Sequence, residues 1–140
     1  MTTLVDANVL LDVFTADPRW VGWSKSHLRS ALAAGEVALN PIIYAEVSLA
    51  FAHEQELDAE LRGLGIAKLP LPYGAAFPAA RAFARYRKKG GERRSPLPDF
   101  YIGAHAQVDG LKLLTRDARR YRSYFPEVDI SAPEPANPPA

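Results

Sequence analysis

The fold of this chain is decided by its first stretch, Thr2-Thr-Leu-Val-Asp-Ala-Asn-Val-Leu-Leu-Asp12. The residues up to Val5 are β-branched or apolar, which favours a short buried strand. Asp6 follows the strand directly, and the helical spacing of the next apolar residues predicts a helix with Asn8 as its cap. Because open α/β sheets carry their functional sites at the carboxyl ends of the strands, Asp6 lies where a site is expected.

The rest of the chain alternates short apolar strands with helices. Four further strands are predicted at 36–39, 66–69, 111–115 and 127–130. Further helices are predicted at 17–32, 40–51, 55–64, 75–86, 98–109 and 118–124, with Asp17, Asn40 and Asp117 among their caps. Such alternation is typical of a parallel sheet with helices on both faces. We therefore expect a three-layer α/β/α domain of seven helices and five strands.

The composition indicates one ordinary globular domain. The 140 residues are 48% apolar and 24% charged, and we expect residues 1–130 to form the domain and the proline-rich segment 131–140 to be a disordered tail. Cysteine is absent, so a bound metal would have oxygen or histidine ligands. Neither a signal peptide nor an apolar run of membrane-spanning length is evident, so we expect a cytoplasmic protein without a membrane partner.

Four acidic residues are predicted to meet at the carboxyl edge of the sheet. Asp6 ends the first strand, Asp117 follows the fourth strand, and Asp99 opens a helix. Glu46 is unusual because it lies in the most apolar predicted helix, where a buried carboxylate without a partner would be costly. Singly, each acid is explained as a helix cap or a surface residue; jointly, they favour a site.

Converging carboxylates repel one another, so the site requires a compensating cation. Mg²⁺ and Mn²⁺ prefer carboxylate and water oxygens as ligands, and both activate water for attack on a phosphodiester. Asn8 and Thr115 would add neutral oxygens, directly or through water, although each is also explained as a cap or strand-end hydrogen bonder. For Asp12, an approach to the site through water competes with a local salt bridge or a solvated helix face.

These motifs resemble those of the PIN-domain ribonucleases, and most closely the VapC-type toxins of bacterial toxin–antitoxin pairs. They are Leu4-Val-Asp6-Ala-Asn8, Pro41-Ile-Ile-Tyr-Ala-Glu46, Leu97-Pro-Asp99-Phe-Tyr-Ile-Gly103-Ala and Leu113-Leu-Thr-Arg-Asp117, with Tyr121 after them. Each motif alone is unspecific. Their order, spacing and placement at strand ends are together typical of the family, and they span nearly the whole domain.

The resemblance implies a metal-dependent endoribonuclease that forms a homodimer and is neutralised by a cognate VapB-type antitoxin. It implies a PIN domain over residues 1–130, with a parallel sheet of order 3-2-1-4-5. Asp6, Glu46, Asp99 and Asp117 would be the catalytic acids; the three aspartates would bind Mg²⁺ or Mn²⁺, and an antitoxin arginine would replace the cation. Hydrolysis by water would leave a 5′-phosphate and a 3′-hydroxyl.

Two further surfaces are suggested by the sequence. A basic run before Asp99 is either a solvated helix end and loop or a rim that binds RNA phosphates. The residues proposed for that rim are Arg85, Lys88, Lys89, Arg93 and Arg94. The apolar helices around Trp20, Trp23 and Phe51 offer surface for a symmetric homodimer. The histidines are expected to be surface or core residues rather than ligands.

Two other functions compete with a ribonuclease. A phosphatase of the haloacid-dehalogenase type also has an aspartate after its first strand, but it needs a second aspartate two residues later, where this chain has Asn8. A catalytically silent PIN-like domain that serves as an RNA-binding or scaffold module is the alternative. The complete acidic set argues against it.

Overall fold

The computed structural model describes residues 1–90 and 97–133. Within them the predicted five strands and seven α-helices are confirmed. The strands are β1 (Thr3–Val5), β2 (Val37–Leu39), β3 (Ala67–Lys68), β4 (Lys112–Leu114) and β5 (Ile130–Ser131). The helices are α1 (Ala7–Phe14), α2 (Val21–Ala34), α3 (Pro41–Ser48), α4 (Glu54–Leu64), α5 (Ala76–Lys88), α6 (Leu97–Asp109) and α7 (Arg119–Tyr124), and a 3₁₀ turn, Tyr73–Ala75, precedes α5.

The strands form one parallel sheet in the predicted order, β3-β2-β1-β4-β5. At its centre Leu4 lies beside Leu113, and Val5 lies beside Leu114. The backbone N–H of Asp6 then donates to the carbonyl of Leu114 at 2.9 Å. Because β1 and β4 end at the same level, the residues that follow them emerge side by side at one edge of the sheet.

Helices cover both faces of this sheet, which confirms the three-layer architecture. All three residues of β1 and all three of β2 are buried, and successive strand residues point to opposite faces. Helix α1 packs on α2 and α3, while α6 packs on α5, α7 and α3. In the described part of the chain, no helix is long and apolar enough to cross a membrane.

Two predicted helix starts are wrong near the N-terminus. Helix α1 is capped by Asp6 and not by Asn8, because the Asp6 carboxylate accepts a hydrogen bond from the N–H of Ala7 at 2.8 Å. Asp17 caps a turn instead of a helix, since it accepts from the N–H groups of Arg19 and Trp20. Helix α2 begins only after that turn.

Other boundaries differ from the predictions in the middle and C-terminal parts. Helix α3 ends at Ser48, so residues 49–51 lie outside it. Asp117 does not cap α7, because the helix starts at Arg119 and Ala118 occupies the N-cap position; the N–H of Asp117 donates to the hydroxyl of Thr115. Ser131 pairs in β5 and therefore belongs to the domain and not to the predicted tail. The rest of that tail from 134 onward lies outside the described residues.

An aromatic cluster joins α5, α6 and α7. Its members, with neighbouring ring centres 5.3 to 6.3 Å apart, are Phe83, Tyr86, Phe100, Tyr124 and Phe125. The close approach of α6 to this cluster depends on Gly103, because a Cβ at that position would overlap the Phe125 ring. The cluster therefore holds α6 close to α5 and to the end of α7, and Asp99 lies in the first turn of α6.

The variant Gly103→Ala is expected to destabilise the domain by about 1–3 kcal/mol, the usual cost of overpacking a well-packed core. Gly63→Ala in α4 is the matched control, since nothing lies within 4 Å of a Cβ built there. It should be neutral or stabilising by up to about 1 kcal/mol. Chemical denaturation measures both, and equal effects of the two substitutions would show that Gly103 is not a packing requirement.

Candidate functional site

An open pocket of about 290 Å³ lies at the carboxyl edge of the sheet, where β1 and β4 end. Its lining residues are Asp6, Ala7, Asn8, Leu11, Glu46, Leu49, Asp99, Asp117, Arg120 and Tyr121. The structure therefore brings all four acids named by the sequence analysis to one pocket. They come from four separate parts of the fold: the ends of β1 and β4, and helices α3 and α6.

Asp6 is the most firmly fixed of the acids. Its Oδ1 accepts the hydrogen bond from the N–H of Ala7. Its Oδ2 accepts hydrogen bonds from the hydroxyls of Thr115 at 2.9 Å and Tyr121 at 3.1 Å. Burial raises the pKa of Tyr121 well above its ordinary value, so its hydroxyl stays protonated and donates. These bonds hold the buried carboxylate in one orientation at the end of β1.

Asn8, in the first turn of α1, and Thr115, directly after β4, brace this carboxylate. The amide nitrogen of Asn8 lies 3.2 Å from the Thr115 hydroxyl and 3.4 Å from Asp6 Oδ2. The Asn8 carbonyl accepts from the backbone N–H of Arg116 at 3.2 Å. Asn8 thus ties the start of α1 to the turn after β4. An aspartate at this position could accept from Arg116 but, lacking N–H donors in its side chain, could not donate to Thr115 or Asp6.

Asp12 forms a buried clamp behind the same turn. Its side chain is 2% exposed and accepts two hydrogen bonds from the guanidinium of Arg116, at 2.9 and 3.2 Å. The hydroxyl of Ser24 in α2 donates to it at 2.6 Å. Of the alternatives left open for Asp12, the structure shows the local salt bridge, and the Arg116 guanidinium also lies 5.2 Å from the centre of the Trp20 ring.

Glu46 reaches the pocket from α3, whose start is held by a buried hydrogen-bonded pair. Asn40 caps α3 by accepting from the N–H of Ile43, and its amide nitrogen lies 3.0 Å from Nδ1 of His105 in α6. His105 is fully buried, as expected for a core residue. This contact sets α3 against α6, and therefore the helix of Glu46 against the helix of Asp99.

Asp99 is bound to a cation that the sequence analysis did not identify. Arg120 Nη1 donates to Asp99 Oδ2 at 2.6 Å, and the guanidinium carbon lies 5.3 Å from the centre of the Tyr86 ring. A run of four basic residues among 116–122 was the only sequence signal for this arginine. Sequence spacing does not show which of them turns toward the pocket.

Burial and like charge raise the pKa of three of the acids. Burial first, and then the charge of Asp99, raise the pKa of Asp6 to about 6, although its hydrogen bonds oppose the shift. Burial, followed by the charges of Asp6 and Asp99, raises the pKa of Glu46 to about 7. Burial also raises the pKa of Asp99, against the opposing effect of Arg120. The pocket therefore disfavours full negative charge at neutral pH.

The donor chemistry of the pocket fits a divalent cation. Carboxylate oxygens face one space, and Glu46 Oε1 is buried without a hydrogen-bond partner among the described residues. The carboxylates do not form a closed cage: within residues 1–90 and 97–133, no three acidic or histidine side chains are grouped tightly enough to hold a metal ion. Asp99 is engaged by Arg120 instead.

The proposed RNA-binding residues divide into two groups. Arg85, Lys88 and Lys89 are exposed at the C-terminal end of α5, next to Tyr86, which contacts the pocket residue Arg120. The ammonium group of Lys89 lies 5.7 Å from the centre of the Tyr124 ring. The other two, Arg93 and Arg94, lie outside the described residues.

Comparison with known proteins places the chain in a sequence family. A family model described as the PIN domain matches residues 3–126. No curated protein matches the sequence.

Solved structures of toxin–antitoxin proteins share the fold. A chain of VapBC2 from Rickettsia felis, bound to a DNA fragment from its promoter, aligns with a TM-score of 0.73 and 15% identity, covering 96% of this chain and 100% of that one. VapBC-1 of nontypeable Haemophilus influenzae aligns with a TM-score of 0.70 and 16% identity, covering 94% of this chain and 98% of that one. A toxin–antitoxin complex from Klebsiella pneumoniae aligns with a TM-score of 0.61 and 24% identity, covering 85% of this chain and 89% of that one.

The variant Glu46→Gln is expected to stabilise the metal-free protein at about pH 8 and to change it little at about pH 5. The folded-state pKa of Glu46, about 7, exceeds its ordinary value of 4.5. Between these values the folded state binds more protons than the unfolded state, so stability falls as pH rises through that window. Melting temperatures in chelator across this range measure the effect.

Glu60→Gln, at an exposed position of α4, is the control for removing a carboxylate. Its melting temperature should follow that of the parent protein at every pH. A Glu46→Gln curve that runs parallel to the parent curve would contradict the raised pKa of Glu46.

Proposed function

This chain belongs to the PIN-domain family, and from that premise we propose that it is a VapC-type toxin, a metal-dependent endoribonuclease neutralised by a cognate antitoxin. Members of the family are generally nucleases. One observation carries the proposal: four carboxylates from separate elements line one pocket at the edge of the sheet. Such a charge arrangement is costly to the fold and is suited to a bound divalent cation.

Asp6, Asp99 and Asp117 would hold Mg²⁺ or Mn²⁺, and Glu46 would complete the pocket. When bound, the cation would lower the pKa of a water molecule and stabilise the charge on the attacked phosphodiester. Asp6 would be a pre-oriented ligand, because its hydrogen bonds already fix the orientation of its carboxylate. Thr115 and Asn8 would act indirectly, by holding Asp6 and the turn after β4 in place.

Glu46 is the better placed of two candidates for accepting the proton from water. Its Oε1 is buried and has no partner among the described residues, whereas Asp99 is bound to Arg120. A carboxylate with a pKa of about 7 accepts and releases protons near neutral pH. The leaving group is the ribose 3′ oxygen, so the products carry a 5′-phosphate and a 3′-hydroxyl.

RNA is the proposed substrate, and the basic end of α5 would guide its backbone. Arg85, Lys88 and Lys89 add positive charge beside a pocket whose own acids repel phosphate. Tyr86 connects this end of α5 to the pocket wall through its contact with Arg120. The roles of Arg93 and Arg94 in the same rim are proposed from the sequence alone.

An antitoxin of the VapB type is the proposed partner. The support is that the structural neighbours are solved as VapBC or toxin–antitoxin complexes and share this fold over most of their length. An arginine of the antitoxin would bind among the four carboxylates and exclude the cation from them.

A homodimer is proposed as well, but with a different surface from the one first inferred. Trp20, Trp23 and Phe51 are only partly exposed and pack on rings of the same chain: Trp20 on Trp23, Trp23 on His27 and Phe51 on Phe14. The large exposed apolar residues near the start of α5, Tyr73 at 97% and Phe77 at 67% exposure, are better suited to an interface.

One observation supports the alternative of a catalytically silent RNA-binding or scaffold module. The described carboxylates do not form a closed metal cage, and Arg120 neutralises Asp99 within the chain. A protein that never exchanges this arginine for a metal would bind RNA without cutting it.

Cleavage of a synthetic RNA is expected in Mg²⁺ or Mn²⁺ and should cease in chelator. Asp6→Asn should reduce the cleavage rate at least about 100-fold. Mutating a residue that only hydrogen-bonds to a metal ligand typically lowers activity about 10–100-fold, and loss of a ligand itself should cost at least as much. Asp129→Asn, at an exposed position after α7, should cut at the parent rate. Equal rates for Asp6→Asn and the parent would remove Asp6 from the reaction.

The ends of the cleaved RNA distinguish the nucleophile. Attack by water predicts a 5′-phosphate and a 3′-hydroxyl. Ligation of the fragments without prior treatment would detect both ends, and loss of ligation after phosphatase treatment would confirm the 5′-phosphate. A 2′,3′-cyclic phosphate, or cutting that chelator does not diminish, would instead indicate a metal-free reaction through the ribose 2′-hydroxyl.

Sedimentation of the isolated chain at micromolar concentration is expected to show a dimer. Phe77→Asp should shift the protein toward monomer, because it places a charge in the proposed apolar interface. A parent protein that sediments as a monomer would refute the homodimer.

A further inference from the structure

We propose that Arg120 is an internal counter-cation that binds Asp99 in the metal-free protein and releases it when a divalent cation binds. The released guanidinium then stays in the pocket wall and binds the substrate phosphate. This inference rests on the proposed function, because it assigns a role to a residue of the same pocket.

The charge of the pocket requires such a cation. Among the described lining residues, four are acidic and Arg120 alone is basic. Arg116, in the turn between β4 and α7, is already committed to the buried carboxylate of Asp12. Arg120 is therefore the group that offsets the mutual repulsion of the carboxylates while no metal is bound.

The contact between Arg120 and Asp99 is close but exchangeable. The two atoms Nη1 and Oδ2 are 2.6 Å apart, whereas the side chains remain 35% and 33% exposed. Partly exposed ion pairs contribute little to stability because water screens them and competes for both partners. A divalent cation with twice the charge of a guanidinium can therefore displace it from Asp99.

After release, Arg120 has a second anchor that keeps it beside the pocket. Its guanidinium carbon lies 5.3 Å from the centre of the Tyr86 ring, a separation at which a cation is attracted to the face of the ring. The next residue, Tyr121, donates to Asp6 and ties α7 to the site. Arginine presents several N–H donors in a fork that suits phosphate oxygens.

Calorimetric titration of the full chain with Mn²⁺ tests the exchange without any RNA. Arg120→Gln should bind Mn²⁺ more tightly than the parent protein by roughly fivefold, because Asp99 no longer has a competing partner. Arg119→Gln is the matched control, since it removes the same charge from the exposed neighbouring position. It should change the affinity much less, which separates direct competition from long-range charge.

Steady-state cleavage of RNA at saturating Mn²⁺ tests whether Arg120 binds the substrate phosphate. Arg120→Gln should raise KM for RNA several-fold, and Arg120→Lys, which keeps the charge but loses the fork, should raise it less. Melting temperatures of the metal-free variants verify that each is folded. If Arg120→Gln left KM for RNA unchanged, the phosphate role would be wrong.

The outcomes of the titration separate this inference from the proposed function. If the parent binds Mn²⁺ and Arg120→Gln binds it no more tightly than Arg119→Gln, the proposed release of Asp99 by Arg120 is wrong. The proposal of a metal site is then still supported. If neither the parent nor Arg120→Gln binds Mn²⁺, the proposed metal chemistry and the exchange are both wrong. Tighter binding by Arg120→Gln alone supports the exchange even if the chain cuts no RNA.

Discussion

Repulsion among carboxylates gathered at one end of a parallel sheet is the constraint on which this structure depends. Parallel strands deliver the residues that follow them to a common edge, so Asp6 and Asp117 meet because β1 and β4 end together. Helices α3 and α6 add Glu46 and Asp99 to the same space. The charges of Asp6 and Asp99 raise the pKa of Glu46, and that of Asp99 raises the pKa of Asp6. The rest of the fold holds these carboxylates in place despite that cost.

Rigid packing around the pocket supplies that restraint. Behind the turn after β4, the clamp between Asp12 and Arg116 joins α1 and α2 to the sheet edge. On the other side, the aromatic cluster and Gly103 fix α6 at a close distance from its neighbours. Hydrophobic and aromatic packing thus stabilises an acidic arrangement that would not persist alone, as is common where function opposes stability.

The four acids were predictable because they follow from patterns along the chain, whereas the strand order was predicted from the resemblance to the PIN-domain family. An acid after an apolar strand, such as Asp6, is visible locally, and Glu46 is conspicuous among apolar neighbours. Helix caps were less predictable, since Asn8 and Asp117 have the same local propensity as true caps. Asn8 instead bonds across the strand ends to Thr115, and the Asp117 N–H bonds locally to the same hydroxyl. The pairing of Arg120 with Asp99 joins residues 21 positions apart, and no local pattern encodes it.

Anomalous diffraction from crystals grown in Mn²⁺ would test most directly whether the four acids form a metal site. The account predicts a peak within coordination distance of the carboxylates of Asp6 and Asp99, with the Arg120 guanidinium moved off Asp99. A pocket without an anomalous peak at saturating Mn²⁺, and with the bond between Arg120 and Asp99 unchanged, would contradict it.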